Sequence, residues 1–262
     1  MTEPQIRFDD GAAYERMMGG FSRLAGSVFL DWLAPPPGLR WIDVGCGSGA
    51  FTELLAERTA PAELQGLDPS EAQLAFARAR PAARVAEFRQ GDAMALPFPD
   101  DRFDAAIMAL VIFFVPNPAK GVAEMARVVG PGGIVAAYAW DMLGGGYPGQ
   151  PFHAEMRAMG LQPLLPPSAD ASRIDVLGKL WTGAGLDAVE TREIMVSRTF
   201  ADFDEFWTIN SMSPNIGQSI AAMSSAEAEQ LKAGVRARLP ADSAGRITCA
   251  GRANAVKGRM PK

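Results

Sequence analysis

Residues 41–52 read Trp-Ile-Asp-Val-Gly-Cys-Gly-Ser-Gly-Ala-Phe-Thr and place three glycines at alternate positions. A short β-branched run precedes the glycines and a helical pattern follows them, which predicts a strand that turns directly into a helix. The first turn of a helix leaves backbone N–H groups without partners, so a glycine-rich turn there can bind a ligand with polar or anionic parts. Gly45, Gly47 and Gly49 fit such a turn, and close packing is the simpler alternative.

Strand and helix patterns alternate on both sides of this turn, from Arg40 to Trp140. The strand segments are almost continuously apolar, as in parallel sheets that helices cover on both faces. We therefore predict a doubly wound α/β domain. Before it, the glycines of the segment Tyr14 to Leu33 predict one broken or two short helices, and Gly130 to Gly133 are predicted to end a helix. Later strands are predicted at 188–196 and 246–254.

The composition limits the possible functions. The chain has 262 residues, 48% of them hydrophobic, and a formal charge of −5, which disfavours nucleic-acid binding because that affinity comes largely from Lys and Arg. Two cysteines without metal-ligand spacing predict neither a disulfide framework nor a metal site. The longest apolar run, 105–115, is too short to span a membrane, and the N-terminal segment does not resemble an export signal. We expect a cytoplasmic protein; nothing in the sequence predicts its oligomeric state.

A carboxylate follows the glycine turn at an informative distance. Asp68 ends the next predicted strand, 19 residues after Gly49, where an acid can accept hydrogen bonds from the hydroxyls of a ribose. It could also cap the helix that begins near Ser70, and both roles are compatible. Two cofactors fit a glycine turn with a ribose acid: NAD, because Ala50 completes a permissive dinucleotide fingerprint, and S-adenosylmethionine.

Three quoted stretches decide between these cofactors by resemblance. In order and spacing, they resemble the class I S-adenosylmethionine-dependent methyltransferases of small molecules, a group that includes quinone-biosynthesis enzymes. The stretches are DVGCGSG, GLDPSEAQLAFAR and the segment from FRQGDAMALPFPDD to GGIVAAYAW. The resemblance implies a Rossmann-like, mostly parallel seven-stranded sheet with an N-terminal helical lid and a small inserted cap. The breaks in the strand and helix pattern divide this single domain into N-terminal helices (1–34), a cofactor-binding core (38–140), substrate-cap insertions (141–172 and 197–240) and a final strand (246–254).

The resemblance also implies a set of residues that bind S-adenosylmethionine. The glycine turn would hold the methionine end, Asp68 the ribose and Asp92 the exocyclic amine of adenine, while Tyr14 would belong to the lid. The full set is Tyr14, Asp43, Gly45, Cys46, Gly47, Asp68, Pro69, Gln73, Asp92, Ala93 and Leu110, the last of which would lie with Ala109 and Val111 beside the sulfonium.

Methyl transfer from a sulfonium needs little from protein side chains, because the cofactor brings its own leaving group and catalysis can come from proximity. We predict an apolar methyl-acceptor pocket walled by Phe113, Phe114, Trp140, Tyr147 and Phe152. The catalytic residue is unknown; His153 is the leading candidate for a general base, with Asp141 and Tyr147 behind it, and an ordinary structural histidine is the simpler interpretation.

Two other functions remain open at this point. An NAD-dependent oxidoreductase is compatible with Ala50, although the chain has no Tyr-x-x-x-Lys pair to donate a proton. A non-catalytic cofactor-binding protein on the same fold is the other, because a fold alone does not establish activity. The methyl acceptor itself, a small molecule, is not identified by the sequence.

Overall fold

The computed structural model describes the backbone of residues 11–262 and the side chains of residues 20–262 other than 214. Seven strands form one sheet: β1 (Arg40–Val44), β2 (Glu63–Asp68), β3 (Ala86–Gln90), β4 (Phe103–Ala109), β5 (Val129–Trp140), β6 (Asp187–Phe200) and β7 (Ile247–Arg259). The helices are α1 (Gly11–Leu33), α2 (Ala50–Thr59), α3 (Glu71–Ala79), α4 (Pro118–Val128), α5 (Gln150–Ala158), α6 (Ile174–Gly183), α7 (Phe203–Ser211), α8 (Pro214–Ala221) and α9 (Ser225–Ala237).

The strand order is β3-β2-β1-β4-β5-β7-β6. The first five strands in this order are parallel, and β7 runs antiparallel to both β5 and β6. The doubly wound, mostly parallel seven-stranded sheet expected from the sequence is therefore confirmed. The strand order reverses between β1 and β4, and in open α/β sheets ligands bind at such a point, beyond the carboxyl ends of the strands.

The first helix differs from its prediction, because α1 is continuous over 23 residues. A Cβ at position 26 would lie only 2.9 Å from the Leu54 side chain and 3.0 Å from the Phe51 side chain, so glycine allows the close approach. The helix propensity lost at this glycine is offset by close packing of α1 on α2. The expectation of a broken helix is wrong, since tertiary packing outweighs propensity here.

The sheet also extends further than the sequence pattern indicates. Gly130 to Gly133 lie within β5, beside an irregularity in its pairing with β4 between Phe103 and Ala105, and do not simply separate a helix from a strand. Strands β6 and β7 pair from Asp187 to Phe200 and from Ile247 to Arg259, so both run several residues beyond the predicted 188–196 and 246–254. A long antiparallel pair can bury one face while the other stays polar, which hides its length from a search for apolar runs.

Three helices between β6 and β7, together with α5, form an aromatic-rich layer that contacts α1. The Phe152 ring stacks on Phe206 at 5.8 Å and Phe206 meets Phe200 edge-on at 5.2 Å. Phe200 in turn lies 6.4 Å from Phe21 of α1, which packs on Trp140 at 6.2 Å. This layer therefore holds α1 in place across the sheet.

Candidate functional site

A cavity of about 370 Å³ opens at the carboxyl ends of the parallel strands. Its wall takes residues from five neighbouring strands or from the loops that follow them, and from α1, α2 and α3. The lining residues are Ser22, Gly45, Cys46, Gly47, Ser48, Ala50, Phe51, Leu67, Asp68, Pro69, Ser70, Gln73, Asp92, Ala93, Ala109, Leu110, Val111, Phe114, Val115, Pro116 and Tyr138. A crevice therefore lies at the point where the strand order of the sheet reverses.

The three loop glycines are needed at their positions for different structural reasons. All have positive φ, at 79° for Gly45, 52° for Gly47 and 78° for Gly49, which disfavours other residues. A Cβ on Gly45 would lie 2.5 Å from the Val111 side chain, and one on Gly49 would lie 3.0 Å from Ala77, so the protein itself occupies that space. At Gly47 the nearest atom would be 3.9 Å away. Only this middle glycine therefore leaves room for a ligand against the bare backbone.

Asp68 joins the glycine loop to the start of α3. One of its carboxylate oxygens accepts the Gly47 N–H at 2.9 Å and the other accepts the Ser70 N–H at 2.9 Å. Burial raises the pKa of Asp68, while the two backbone hydrogen bonds oppose that rise. Both roles considered for this residue, structural and ligand-facing, are compatible with the geometry, because each carboxylate oxygen retains a lone pair and Asp68 lines the cavity.

The residues expected around an adenine lie at the β2 and β3 end of the cavity. Pro69 and Gln73 line it from the start of α3, and Asp92 and Ala93 line it from the loop after β3. The Asp92 carboxylate accepts the Met94 N–H at 2.8 Å, which fixes the turn. Nine of the eleven proposed cofactor-binding residues thus surround one cavity, and their roles remain proposals.

The other two proposed residues stand apart. Asp43 is fully buried behind the loop, where it accepts the Thr52 hydroxyl hydrogen at 2.6 Å, and burial raises its pKa to about 7. It does not line the cavity. Tyr14 belongs to α1 but lies outside the residues whose side chains the structure describes.

Leu110 has a backbone conformation that is unusual for its residue type. Its φ is 63°, in the left-handed region that bulky residues rarely adopt. Its N–H donates to the carbonyl oxygen of Tyr138 at 2.8 Å, and the side chain is buried in the cavity wall. The bend at Leu110 directs Val111 over Gly45, so it shapes the wall facing the glycine loop.

A protein-family model described as "Methyltransferase domain" matches residues 42–137. This stretch is therefore similar to a methyltransferase domain, as the sequence motifs predicted. The resemblance expected from the sequence is thereby confirmed for these residues. The observed sheet also differs from the order 3-2-1-4-5-6 of dinucleotide-binding Rossmann folds, because β7 lies between β5 and β6 and runs antiparallel to both.

Two curated relatives show where the similarity of this methyltransferase domain lies. The 2-phytyl-1,4-naphtoquinone methyltransferase of Synechococcus elongatus is 37% identical over 127 residues, which are 47% of this chain and 54% of that protein. The demethylmenaquinone methyltransferase of Desulfitobacterium hafniense is 34% identical over 152 residues, which are 56% of this chain and 54% of that protein. The chain thus spans about half the length of these relatives.

A solved structure extends the likeness of fold beyond the methyltransferase domain. Phosphoethanolamine N-methyltransferase 2 of Haemonchus contortus, solved in complex with S-adenosyl-L-methionine, has a TM-score of 0.59 and 18% identity and covers 96% of this chain and 57% of that one. In the described part of the present chain, no helix is long and apolar enough to cross a membrane, and no group of His, Cys, Asp and Glu residues could hold a metal ion.

The candidate general bases lie away from the cavity of the methyltransferase domain. His153 is 1% exposed, and its Nε2 lies 3.3 Å from Nδ2 of Asn215. Burial lowers the pKa of His153 to about 4. Asp141 forms a 2.6 Å ion pair with Arg252, and the Tyr147 hydroxyl donates to Asn215. All three side chains thus have partners within the protein, and none of them lines the cavity.

The aromatic wall is only partly where it was expected. Phe114 lines the cavity, whereas Phe113, Trp140, Tyr147 and Phe152 do not. Ser22, Phe51 and Tyr138 line it instead, and the sequence pattern did not single them out. Tyr138 directly precedes Ala139 and Trp140 at the end of β5, so its position on a strand that reaches the crevice was the one available signal.

Proposed function

We propose that the chain binds S-adenosylmethionine in this cavity and transfers its methyl group to a small apolar molecule. The observation that supports the proposal most is the open backbone at Gly47, joined by a hydrogen bond to the buried carboxylate of Asp68. A methionine end would lie along Gly45, Cys46 and Gly47, and the ribose hydroxyls would donate to Asp68. The similarity of residues 42–137 to a methyltransferase domain gives this arrangement its chemistry.

The adenine would lie over the loop after β3. Asp92 would accept the exocyclic amine, Ala93 would offer its N–H, and Pro69 and Gln73 would cover one face of the ring. Leu110 would pack beside the sulfonium. Asp43 would act from behind the loop, because its hydrogen bond to Thr52 orders the start of α2. For Tyr14 we retain the proposal of a lid residue.

When bound, S-adenosylmethionine supplies an electrophilic methyl group and a neutral leaving group. The protein's contribution is to hold the acceptor in line with the methyl group and to exclude water from the cavity. The wall from Leu110 to Pro116 is apolar, which suits both tasks, and a buried Cys46 thiol whose pKa is raised by burial stays neutral there. Proximity and orientation therefore provide most of the catalysis.

The apolar wall also favours a neutral acceptor. The two curated relatives are named for acting on quinones, and an acceptor of comparable apolar character is what we propose for this chain. A net charge of −5 disfavours nucleic acid as a partner. Both cysteines are free and buried, as is usual in a reducing compartment, and we propose a cytoplasmic location.

Calorimetric titration with S-adenosylhomocysteine tests cofactor binding. We expect one site per chain with a micromolar dissociation constant. A screen of phenols, quinols, amines and carboxylates with methyl-labelled cofactor tests transfer, and labelled product from a neutral apolar compound is the expected result. Absence of binding at millimolar S-adenosylhomocysteine rejects the proposal. Cofactor binding without any methylated product would favour a non-catalytic role, and saturable binding of NADH alone would favour an oxidoreductase.

A further inference from the structure

The glycine loop after β1 is a turn whose shape decides how much backbone a ligand can contact. The Gly49 N–H donates to the Cys46 carbonyl oxygen at 2.9 Å, which closes the turn. The Gly47 N–H, in the middle of the turn, donates to Asp68 at 2.9 Å. Under the proposed function, on which this inference rests, the loop holds the methionine end of S-adenosylmethionine. A residue that fixes the rest of the turn therefore contributes to cofactor binding.

Arg80 contacts the same turn from the position directly after α3. Its Nε donates to the Ser48 carbonyl oxygen at 2.6 Å, and its Cδ would lie 3.4 Å from a Cβ on Gly49. The side chain therefore packs against the turn as well as hydrogen-bonding to it. A hydrogen bond from a charged donor is stronger than one between neutral groups, so the Ser48 carbonyl is held in one orientation.

An ion pair holds Arg80 in this position. Its Nη1 lies 2.8 Å from a carboxylate oxygen of Glu53, in the first turn of α2. Most of each side chain is buried, with 19% of Arg80 and 15% of Glu53 exposed, so salt screens this pair less than an exposed one. The Glu53 N–H in turn donates to the Gly49 carbonyl oxygen at 2.9 Å. Arg80 therefore connects the end of α3, the glycine loop and the start of α2.

This ion pair acts on a ligand only through the loop. Gly47 and Ser48 line the cavity, whereas Arg80 and Glu53 do not. We propose that Arg80 is a positioning residue of the cofactor site. Held by Glu53, it keeps the glycine loop in the conformation that presents the Gly47 backbone to the methionine end of the cofactor.

Loss of the guanidinium is expected to change the population of loop conformations. If the binding-competent conformation falls to about a tenth of the population, the apparent affinity of a ligand that contacts the loop falls about tenfold. A ligand without the methionine end depends less on this conformation. 5′-Methylthioadenosine contains the adenosine and sulfur of S-adenosylhomocysteine but not its amino-acid part, so it provides the comparison.

Calorimetric titration with S-adenosylhomocysteine and 5′-methylthioadenosine tests the proposal. Arg80→Met keeps an unbranched side chain but removes the charge and the donors. The matched control is Arg102→Met, since Arg102 forms a partly buried ion pair with Glu63 at the amino ends of β2 and β4, away from the loop. We expect S-adenosylhomocysteine affinity to fall about tenfold in Arg80→Met, clearly more than that of 5′-methylthioadenosine, and to stay within twofold of wild type in Arg102→Met.

A conservative variant extends this comparison. Arg80→Lys keeps the charge but can reach only one of the two partners at a time, so S-adenosylhomocysteine affinity should fall only about threefold. This variant also replaces Arg80→Met in the comparison if Arg80→Met does not fold.

Amide hydrogen exchange in the protein without ligand provides a second arm. The Gly49 N–H, which closes the turn, should exchange about tenfold faster in Arg80→Met than in wild type, and at the wild-type rate in Arg102→Met. Unchanged S-adenosylhomocysteine affinity, equal losses for the two ligands, or unchanged exchange at Gly49 overturns the positioning role alone. If S-adenosylhomocysteine fails to bind the wild type, the proposed function fails first and this inference falls with it.

Discussion

Substitution of Asp68 by Asn, measured with two ligands, distinguishes a ribose contact from loop structure. The wild-type carboxylate accepts the Gly47 and Ser70 N–H groups, each at 2.9 Å, and has a lone pair on each oxygen for a ribose hydroxyl. Asparagine has the same volume but only one accepting oxygen and no charge. A hydrogen bond to a charged group contributes about 1.5–3 kcal/mol, net of the exchange with water. We expect a net loss of about 1–3 kcal/mol, which is roughly a 5- to 150-fold weaker affinity for S-adenosylhomocysteine.

Calorimetry with two ligands makes this prediction specific. The second ligand is an S-adenosylhomocysteine analogue without the 2′ and 3′ hydroxyls. Its affinity should fall clearly less in Asp68→Asn than that of S-adenosylhomocysteine, because only the lost loop hydrogen bond affects it. Because burial raises the pKa of Asp68, ionisation of this group opposes folding as the pH rises, so the neutral variant is expected to remain folded at pH 8. Equal losses for both ligands would refute the ribose assignment and leave Asp68 as a loop-ordering residue.

Three further predictions concern stability. Gly45→Ala is expected to lower the free energy of unfolding by about 2–4 kcal/mol, because its Cβ would meet Val111 at 2.5 Å and φ is 79°. The control is Gly245→Ala, where φ is 81° but an added Cβ would meet open space. Its free energy of unfolding in urea should fall by only about 1–2 kcal/mol, and equal losses in the two variants would contradict the role of the Val111 contact. The pKa of His153 is lowered from 6.5 to about 4. The free energy of unfolding of the wild type should therefore fall by up to about 3 kcal/mol as the pH falls from 6.5 to 4. Urea unfolding across that range should show no such loss for His153→Gln. Burial raises the pKa of Asp43 to about 7, so wild-type stability should decline from pH 4 to 7 relative to Asp43→Asn, and parallel curves would disprove this.

The fold was predictable because its signals are local. The apolar run of each parallel strand, the capping serine at Ser70 and the glycine turn after β1 each report on a few neighbouring residues. The continuity of α1 was not predictable, since Gly26 lowers helix propensity and only its contact with α2 explains it. Local patterns therefore yield the order of elements, while tertiary contacts decide some of their boundaries.

Some residues of the candidate site were also predictable from local sequence patterns, whereas others were not. Gly47, Asp68 and Asp92 lie at the carboxyl ends of three successive strands, so the sequence pattern singles them out. Ser22 and Tyr138 reach the cavity only because α1 crosses the sheet and β5 lies next to β4. Such positions carry no motif of their own and require the three-dimensional arrangement.

His153 shows what residue type alone leaves open. His153 was the leading base candidate because of its ordinary pKa, with a structural histidine as the simpler interpretation, and its ring is 1% exposed and lies 5.1 Å from the Tyr147 ring. A histidine suits catalysis by its ordinary pKa, but burial in packed surroundings changes that value. Residue type alone therefore could not distinguish a base from a packing residue.

The central claim is that S-adenosylmethionine lies along the backbone at Gly47, with Asp68 and Asp92 holding its sugar and base. A crystal structure of the protein grown with saturating S-adenosylhomocysteine tests it most directly. We expect ligand density in the crevice, ribose hydroxyls within about 3 Å of the Asp68 carboxylate, and the adenine amine beside Asp92. An empty crevice, or a ligand bound with these two carboxylates facing away from it, would contradict the claim.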